Sequence, residues 1–186
     1  MQFKFPQMHL QTRELTEEDI PLIADYWLIS PDEHLISMGV DLDKLPSRAG
    51  FTQMLQSQLV LPVEKRQSYA LIWEVDGQSI GHTNVNQIEF GVEAHMHLHI
   101  WKADFRKKGL GAELVRQALP LFFERLQLQK LICEPYAQNP APNRTLEKVG
   151  FSFVKKHRTI PGSINFEQEV NRWELTREAC EVLGLL

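Results

Sequence analysis

Ile100-Trp101-Lys102-Ala103-Asp104-Phe105-Arg106-Lys107-Lys108-Gly109-Leu110-Gly111-Ala112 is the stretch on which the reading of the chain turns. It places R-x-x-G-x-G, Arg106 to Gly111, where a strand pattern gives way to a helix pattern. Upstream, Val92–Trp101 alternates as a strand does. Downstream, Leu110, Leu114, Val115, Ala118, Leu119 and Phe122 fall on one face of a helix over about Gly109–Leu126. The first turn of a helix carries unpaired N–H groups and the positive end of the macrodipole. Glycines at 109 and 111 let an anion approach the backbone, since no Cβ intervenes. Arg106, Lys107 and Lys108 add local positive charge, so the spacing points to a phosphate-bearing ligand, most simply a pyrophosphate. No G-K-[ST] follows, and no parallel βαβ unit carries G-x-G-x-x-G, which removes the P-loop and dinucleotide fingerprints.

Working outward, Tyr69–Val75, Ser79–Ile88 and Val92–Trp101 read as a meander of three antiparallel strands. Asp76-Gly77 is its first tight turn and Glu89-Phe90-Gly91 the second. Toward the N-terminus, Met8–Leu15 suits a strand, and Thr16-Glu17-Glu18-Asp19 starts a helix that runs to about Leu28 and stops at Ser30-Pro31. Residues 31–47 read as irregular, and Arg48–Leu59 as a second helix ending before Pro62. After the long helix, in which Pro120 should produce a kink or mark the last turns, Lys130–Cys133 is a short strand. A Pro/Asn-rich turn follows, then a helix to Val149 that ends at Gly150, a left-handed cap. Phe151–Ile160 and Phe166–Leu175 close the pattern as two strands joined at Pro161-Gly162. The order β-α-α-β-β-β-α-β-α-β-β predicts an α/β (α+β) fold. It is a mixed sheet of about seven strands flanked by about four helices, in one domain over residues 1–186.

Composition narrows the function. Lys+Arg 20 against Asp+Glu 24 gives a net charge of −4 over 186 residues. No basic excess supports nucleic-acid or membrane-surface binding, so an anion must be held by a local cluster. Cys133 and Cys180 form neither a disulfide framework nor a C-x-x-C pair, which suits a reducing cytoplasm. The first residues hold no apolar run of signal-peptide length, and no stretch approaches the ~20 residues of a spanning helix. A soluble cytoplasmic protein, monomer or homodimer, is the expectation.

Two segments together carry a family resemblance. Arg106–Ala112, and Asn139-Pro-Ala-Pro-Asn-Arg-Thr-Leu-Glu-Lys-Val-Gly-Phe151, resemble the paired motifs of the GNAT superfamily of acetyl-CoA-dependent N-acetyltransferases. The second is most similar to the RimJ/RimL-like branch, which acetylates protein N-termini and assorted amines. The resemblance implies a sheet splayed between strands 4 and 5, with acetyl-CoA as cosubstrate and no metal. It implies that backbone groups of Ile100, Trp101 and Lys102 pair with the pantetheine arm. N–H groups from Lys107, Lys108, Gly109, Leu110, Gly111 and Ala112 would hold the pyrophosphate, with the charge of Arg106 beside them. Asn139 would bond the pantetheine, and Arg144 and Lys148 would approach the adenosine phosphates or form a solvated helix face.

Attack of an amine on a thioester needs a base and a donor for the leaving thiolate. Glu134, five residues before Asn139, sits at the offset of a family glutamate base, or is a water-exposed strand end. The positions where relatives carry hydroxyl acids hold Leu146 and Pro142 here, which leaves Tyr136, a water or the amine's own proton. His95, His97 and His99 share one face of their strand, with His82 on the next strand. They line a pocket, pack, supply a base (His97 foremost) or bind zinc. Successive same-face side chains ~7 Å apart do not by themselves converge on a metal. The four tryptophans suit the core, with Trp27 able to line the acceptor pocket. The Ser30–Pro46 segment, with His34, Met38 and the acids Asp32, Glu33, Asp41 and Asp43, suits a cationic amine or is ordinary loop surface. The acceptor would be a protein N-terminus or a small amine attacking directly in a ternary complex. The alternative is a non-catalytic acyl-CoA-binding or sensing domain.

Overall fold

Strand and helix periods in the sequence resolve into one seven-stranded sheet with helices on both faces. In the computed structural model, which describes residues 8–186, the strands are β1 (Leu10–Glu14), β2 (Ser68–Val75), β3 (Gln78–Glu89), β4 (Glu93–Ile100), β5 (Lys130–Cys133), β6 (Ser152–Thr159) and β7 (Gln168–Thr176). Their order across the sheet is β1-β2-β3-β4-β5-β7-β6. Every neighbouring pair is antiparallel except β4 and β5, which run parallel. The Asp76-Gly77 turn has φ of 51° and 76°, the left-handed pair that a two-residue hairpin needs.

The helices are α1 (Ile20–Ile29), α2 (Asp32–Ser37), α3 (Arg48–Leu59), α4 (Leu110–Arg125), α5 (Pro140–Val149) and α6 (Arg177–Val182). Two of these exceed the sequence expectation. α2 occupies part of the segment read as irregular: Pro31 leads in and Asp32 and Glu33 sit in its first turn, where the dipole favours acids. α6 is started by Thr176, whose Oγ1 accepts from Ala179 N–H at 3.1 Å, and it buries Cys180. Each is six residues long, too short for a helical period to stand out. α1 begins later than Thr16, after a 3-10 turn at Glu17–Asp19. α4 runs through Pro120 to Arg125.

Alternation along the strands divides the core in two. Leu71, Trp73, Val85, Met96, Leu131 and Trp173 face α4 and α5, whose Leu114, Leu119, Phe122 and Leu146 complete one cluster. Each such side chain contributes roughly 1.5–3 kcal/mol when fully buried. On the other face, Ile72 and Ala70 meet α1 and α3 through Ile23, Trp27, Phe51 and Leu55. That second cluster covers the β2–β3 side, while the β4–β5–β7 side of the same face carries polar residues. No helix among the described residues is long and apolar enough to cross a membrane.

Candidate active site

Parallel pairing of β4 with β5 reaches only from Glu93↔Lys130 to His95↔Ile132. Beyond that point the strands diverge. The β3–β4 register, with Trp101 N–H donating to Ile80 C=O at 2.8 Å, makes the odd-numbered residues of β4 the hydrogen-bonded partners of β3. Leu98 and Ile100 therefore direct their N–H and C=O groups into the gap. The gap is the centre of a cleft of about 250 Å³. Met96, Leu98, Cys133, Asn139 and Pro142 line it toward α4 and α5, and Trp27, Phe51, Ala70, Asn84 and His99 toward α1 and α3.

Following β4 and a 3-10 turn at Ala103–Phe105, α4 starts without a side-chain cap. Gly109 has φ of 76°, and a Cβ built there meets nothing within 4 Å, so this glycine serves a left-handed backbone open to its surroundings. Lys107 also lies in the left-handed region, at φ 60°. Gly111 differs: a Cβ there would be in ordinary contact with Thr145 of α5, 3.5 Å from Oγ1, so the α4–α5 packing would accept one. Lys107 and Lys108 are exposed, as are Lys102 and Arg144. Ala112 and Leu110 are buried against the sheet.

Arg106 does not point at the α4 terminus. Its Nε donates to Ile100 C=O and its NH2 to Trp101 C=O, both at 2.9 Å, and NH1 approaches His34 Nδ1 at 3.4 Å. The guanidinium thus braces the end of β4. With those carbonyls held and Trp101 N–H bound to Ile80, the unpaired backbone edge lies at Leu98 and the Ile100 N–H, one step upstream of the Ile100–Lys102 stretch that the sequence suggested.

Glu134 lies across the gap, with a side chain 9% exposed. His157 Nε2 at 2.8 Å and Arg172 NH1 at 3.3 Å both meet its Oε1. Oε2 has no partner among the described residues and is the atom left for the cleft. Arg172 also grips Glu174 at 2.7 Å. These partners come from β6 and β7, far along the chain, and the sequence reading missed them; alternation of the closing strands places both on the Glu134 face but not beside it. Tyr136 lies on the same turn, its ring against Phe166 at 5.9 Å, and its hydroxyl has no partner among the described residues. Asn139 caps α5, with Oδ1 accepting weakly from Ala141 N–H at 3.4 Å. Asn143 holds this turn together, donating to the carbonyls of Tyr136 and Asn139 and accepting from Asn171 and Trp173. It too escaped sequence reading.

The β4 histidines separate in role. His97 Nε2 bonds Asn86 Oδ1 at 3.1 Å, and burial, with His95 nearby, pushes its pKa down to about 4. His82 Nδ1 accepts from Trp101 Nε1 at 2.7 Å, which puts its proton on Nε2 when neutral. Burial lowers His82 to about 3. It stacks on His99 at 4.8 Å, and His99 is likewise held well below its ordinary value by burial. Tyr26 hydroxyl joins His99 Nδ1 (3.4 Å) to His34 Nε2 (3.2 Å). This is a neutral, packed chain of rings. Among the described residues, no group of three or more His, Cys, Asp or Glu side chains converges as a metal ion requires. Asp41 caps Asp43 N–H and pairs with Lys44, and none of Asp32, Glu33, Asp41 and Asp43 lines the cleft. Of the two readings open for these acids, their place outside the cleft lining fits ordinary loop surface. Burial pushes the Cys133 thiol up and the Cys180 thiol to about 11, so neither is a ready nucleophile.

A sheet opened between its parallel pair, with a held carboxylate on the gap and β4 leading on to an uncapped helix start, defines an acyltransferase of the GNAT type. The chain belongs to that family: the acetyltransferase (GNAT) domain matches residues 9–152, and acetyl-CoA is the cosubstrate of this class of N-acetyltransferase. No curated protein matches the sequence. Among solved structures, the chain is similar to RimL, a ribosomal alpha-N-protein acetyltransferase in complex with coenzyme A, at 14% identity over 91% of this chain and 95% of that one, TM-score 0.73. It is similar to the aminoglycoside acetyltransferase AAC(6')-Ib in complex with coenzyme A and kanamycin, at 21% identity over 94% and 98%, TM-score 0.72. A spermidine N-acetyltransferase from Vibrio cholerae, in complex with CoA and spermine, is similar at 18% identity over 91% of this chain and 96% of that one, TM-score 0.74.

Proposed function

We propose that this chain transfers the acetyl group of acetyl-CoA to a primary amine by direct attack in a ternary complex, on the RimJ/RimL-like pattern. One observation carries the reading: the free backbone edge at Leu98 and the Glu134 carboxylate line one cleft where β4 and β5 part, and β4 leads on to a helix, α4, that starts uncapped. The pantetheine arm pairs with the β4 edge as an added strand would. N–H groups from Lys107 to Ala112 receive the pyrophosphate, with Gly109 giving the close approach and Lys107 and Lys108 the charge. Arg106 positions the β4 end. Asn139 reaches the arm with its amide, and Arg144 stands over the adenosine side.

Glu134 takes the amine proton on Oε2 while Arg172 and His157 hold the carboxylate in place through Oε1. Tyr136 donates to the leaving thiolate. His97, kept neutral by burial, positions the acceptor beside Glu134 instead of titrating. The thioester is activated already, so backbone N–H groups supply the electrostatic stabilisation without a metal. The acceptor is a protein N-terminus or a small amine, and the two buried cysteines suit a reducing cytoplasm.

Incubating an amine with acetyl-CoA and the protein should give the acetylated amine by mass spectrometry, with none when protein is omitted. CoA binding by calorimetry with no acetylated product from any amine would return the chain to an acyl-CoA-binding module.

A further inference from the structure

We infer that the acceptor is an α-amino amide with an apolar or aromatic side group and a single positive charge, and not a polyamine or other polycation. The inference rests on the transferase reading above and specifies its acceptor. Three features of the cleft carry it. Glu134 is the one formally charged side chain among its lining residues, and its Oε1 is already matched by Arg172 and His157. The α1–α3 wall is apolar: Trp27 and Phe51 lie parallel (interplanar angle 8°, centroids 6.5 Å apart), with Ala70 on the sheet beneath them. Between Ala70 and His97 in the sheet register stands Asn84, whose carboxamide has no partner among the described residues.

Each feature selects. A polycation would bring further ammonium groups into a space that offers one carboxylate, and a buried charge without a partner is strongly disfavoured. The reacting ammonium alone is provided for, because Glu134 removes its proton. The buried Trp27 and Phe51 rings make this wall of the cleft apolar, so an alkyl or aromatic side group is desolvated against it. Asn84 offers one donor and one acceptor, the complement of a neutral amide. An amino-acid amide and a peptide N-terminus share this chemistry.

The test is thiol release at saturating acetyl-CoA, comparing phenylalaninamide, glycinamide, a tripeptide beginning with Phe, spermidine and kanamycin. The expected kcat/KM for phenylalaninamide exceeds that for glycinamide and spermidine by about tenfold or more. A further gain for the tripeptide identifies a peptide terminus as the source of the amide, and no gain identifies a small molecule. Asn84→Asp supplies a second carboxylate and should move the preference toward spermidine. Phe51→Ala should raise the KM for phenylalaninamide while leaving the KM for acetyl-CoA unchanged, which keeps the wall testable if Asn84→Asp does not fold. Preference of the wild-type protein for spermidine or kanamycin overturns the inference and leaves the transferase reading standing. Absence of thiol release with every acceptor overturns both.

Discussion

Glu134→Gln is the substitution that separates a base from a structural carboxylate. The side chain is nearly enclosed, and its Oε1 meets His157 at 2.8 Å and Arg172 at 3.3 Å. Glutamine keeps the volume, and its carbonyl can still accept from Arg172, which retains Glu174 at 2.7 Å. The stability cost should therefore be about 1 kcal/mol, the worth of one ordinary hydrogen bond. The chemical cost is larger, because the amide cannot take a proton. General-base catalysis contributes about 10²–10⁴-fold, so kcat should fall roughly a hundredfold or more. The KM for acetyl-CoA should change little, since no cofactor contact is lost. Thiol release measured across pH should also lose its acidic limb. A variant that folds normally and retains kcat within about threefold, with an unchanged profile, would refute the assignment and pass the role to His97 or solvent.

Other predictions concern the cofactor loop and the fold. Gly109→Ala should weaken CoA binding by calorimetry, because φ of 76° strains any side chain there, whereas Gly111→Ala, in ordinary contact with Thr145, should bind nearly as wild type. Equal losses in both would argue against the loop assignment. Gly81→Ala would set a Cβ on the His99 carbonyl oxygen and 3.1 Å from Ile100 Cα, so it should cost on the order of 2–3 kcal/mol and lower the melting temperature by roughly 5–10 °C. A near-normal melt would mean that β3 and β4 yield readily there. His82 and His97 are held at about 3 and about 4 in the fold, below their unfolded value. Their stabilisation is complete above about pH 6.5. It is lost as pH falls from there toward the folded values, at roughly 1.4 kcal/mol per pH unit for each ring that stays neutral in the fold, and levels off below those values. A melting temperature flat from pH 7 to pH 5 would contradict their burial as neutral rings.

Local signals carried most of the fold. Arg48–Leu59 was readable to its ends, since Ser47 caps it through Gly50 N–H and Pro62 lies just beyond it. Lys130–Cys133 and the Gly150 cap, at φ 115°, were equally plain. Sheet order was not: β7 inserts between β5 and β6, a long-range choice made by packing. In the site, residue type was legible and direction was not. Arg106 counted as phosphate-facing charge by spacing, yet its guanidinium turns back onto the β4 carbonyls. Gly111 fitted an anion site by motif, yet its missing Cβ faces Thr145. Glu134 was found by offset from Asn139, while His157 and Arg172 reach it only because β6 and β7 fold back beside β5. The acids at 32, 33, 41 and 43 left a cationic acceptor and ordinary loop surface equally open in the sequence, and the chain places them outside the cleft lining.

Direct transfer from acetyl-CoA to an amine held across the β4–β5 gap is decided by initial rates of thiol release with both substrates varied. Double-reciprocal lines that intersect, with no release above background when the amine is omitted, are the expected result, since no cysteine in the cleft is poised to carry the acetyl group. Parallel lines, or a burst of thiol without amine, would reveal an acetyl-enzyme and contradict the account.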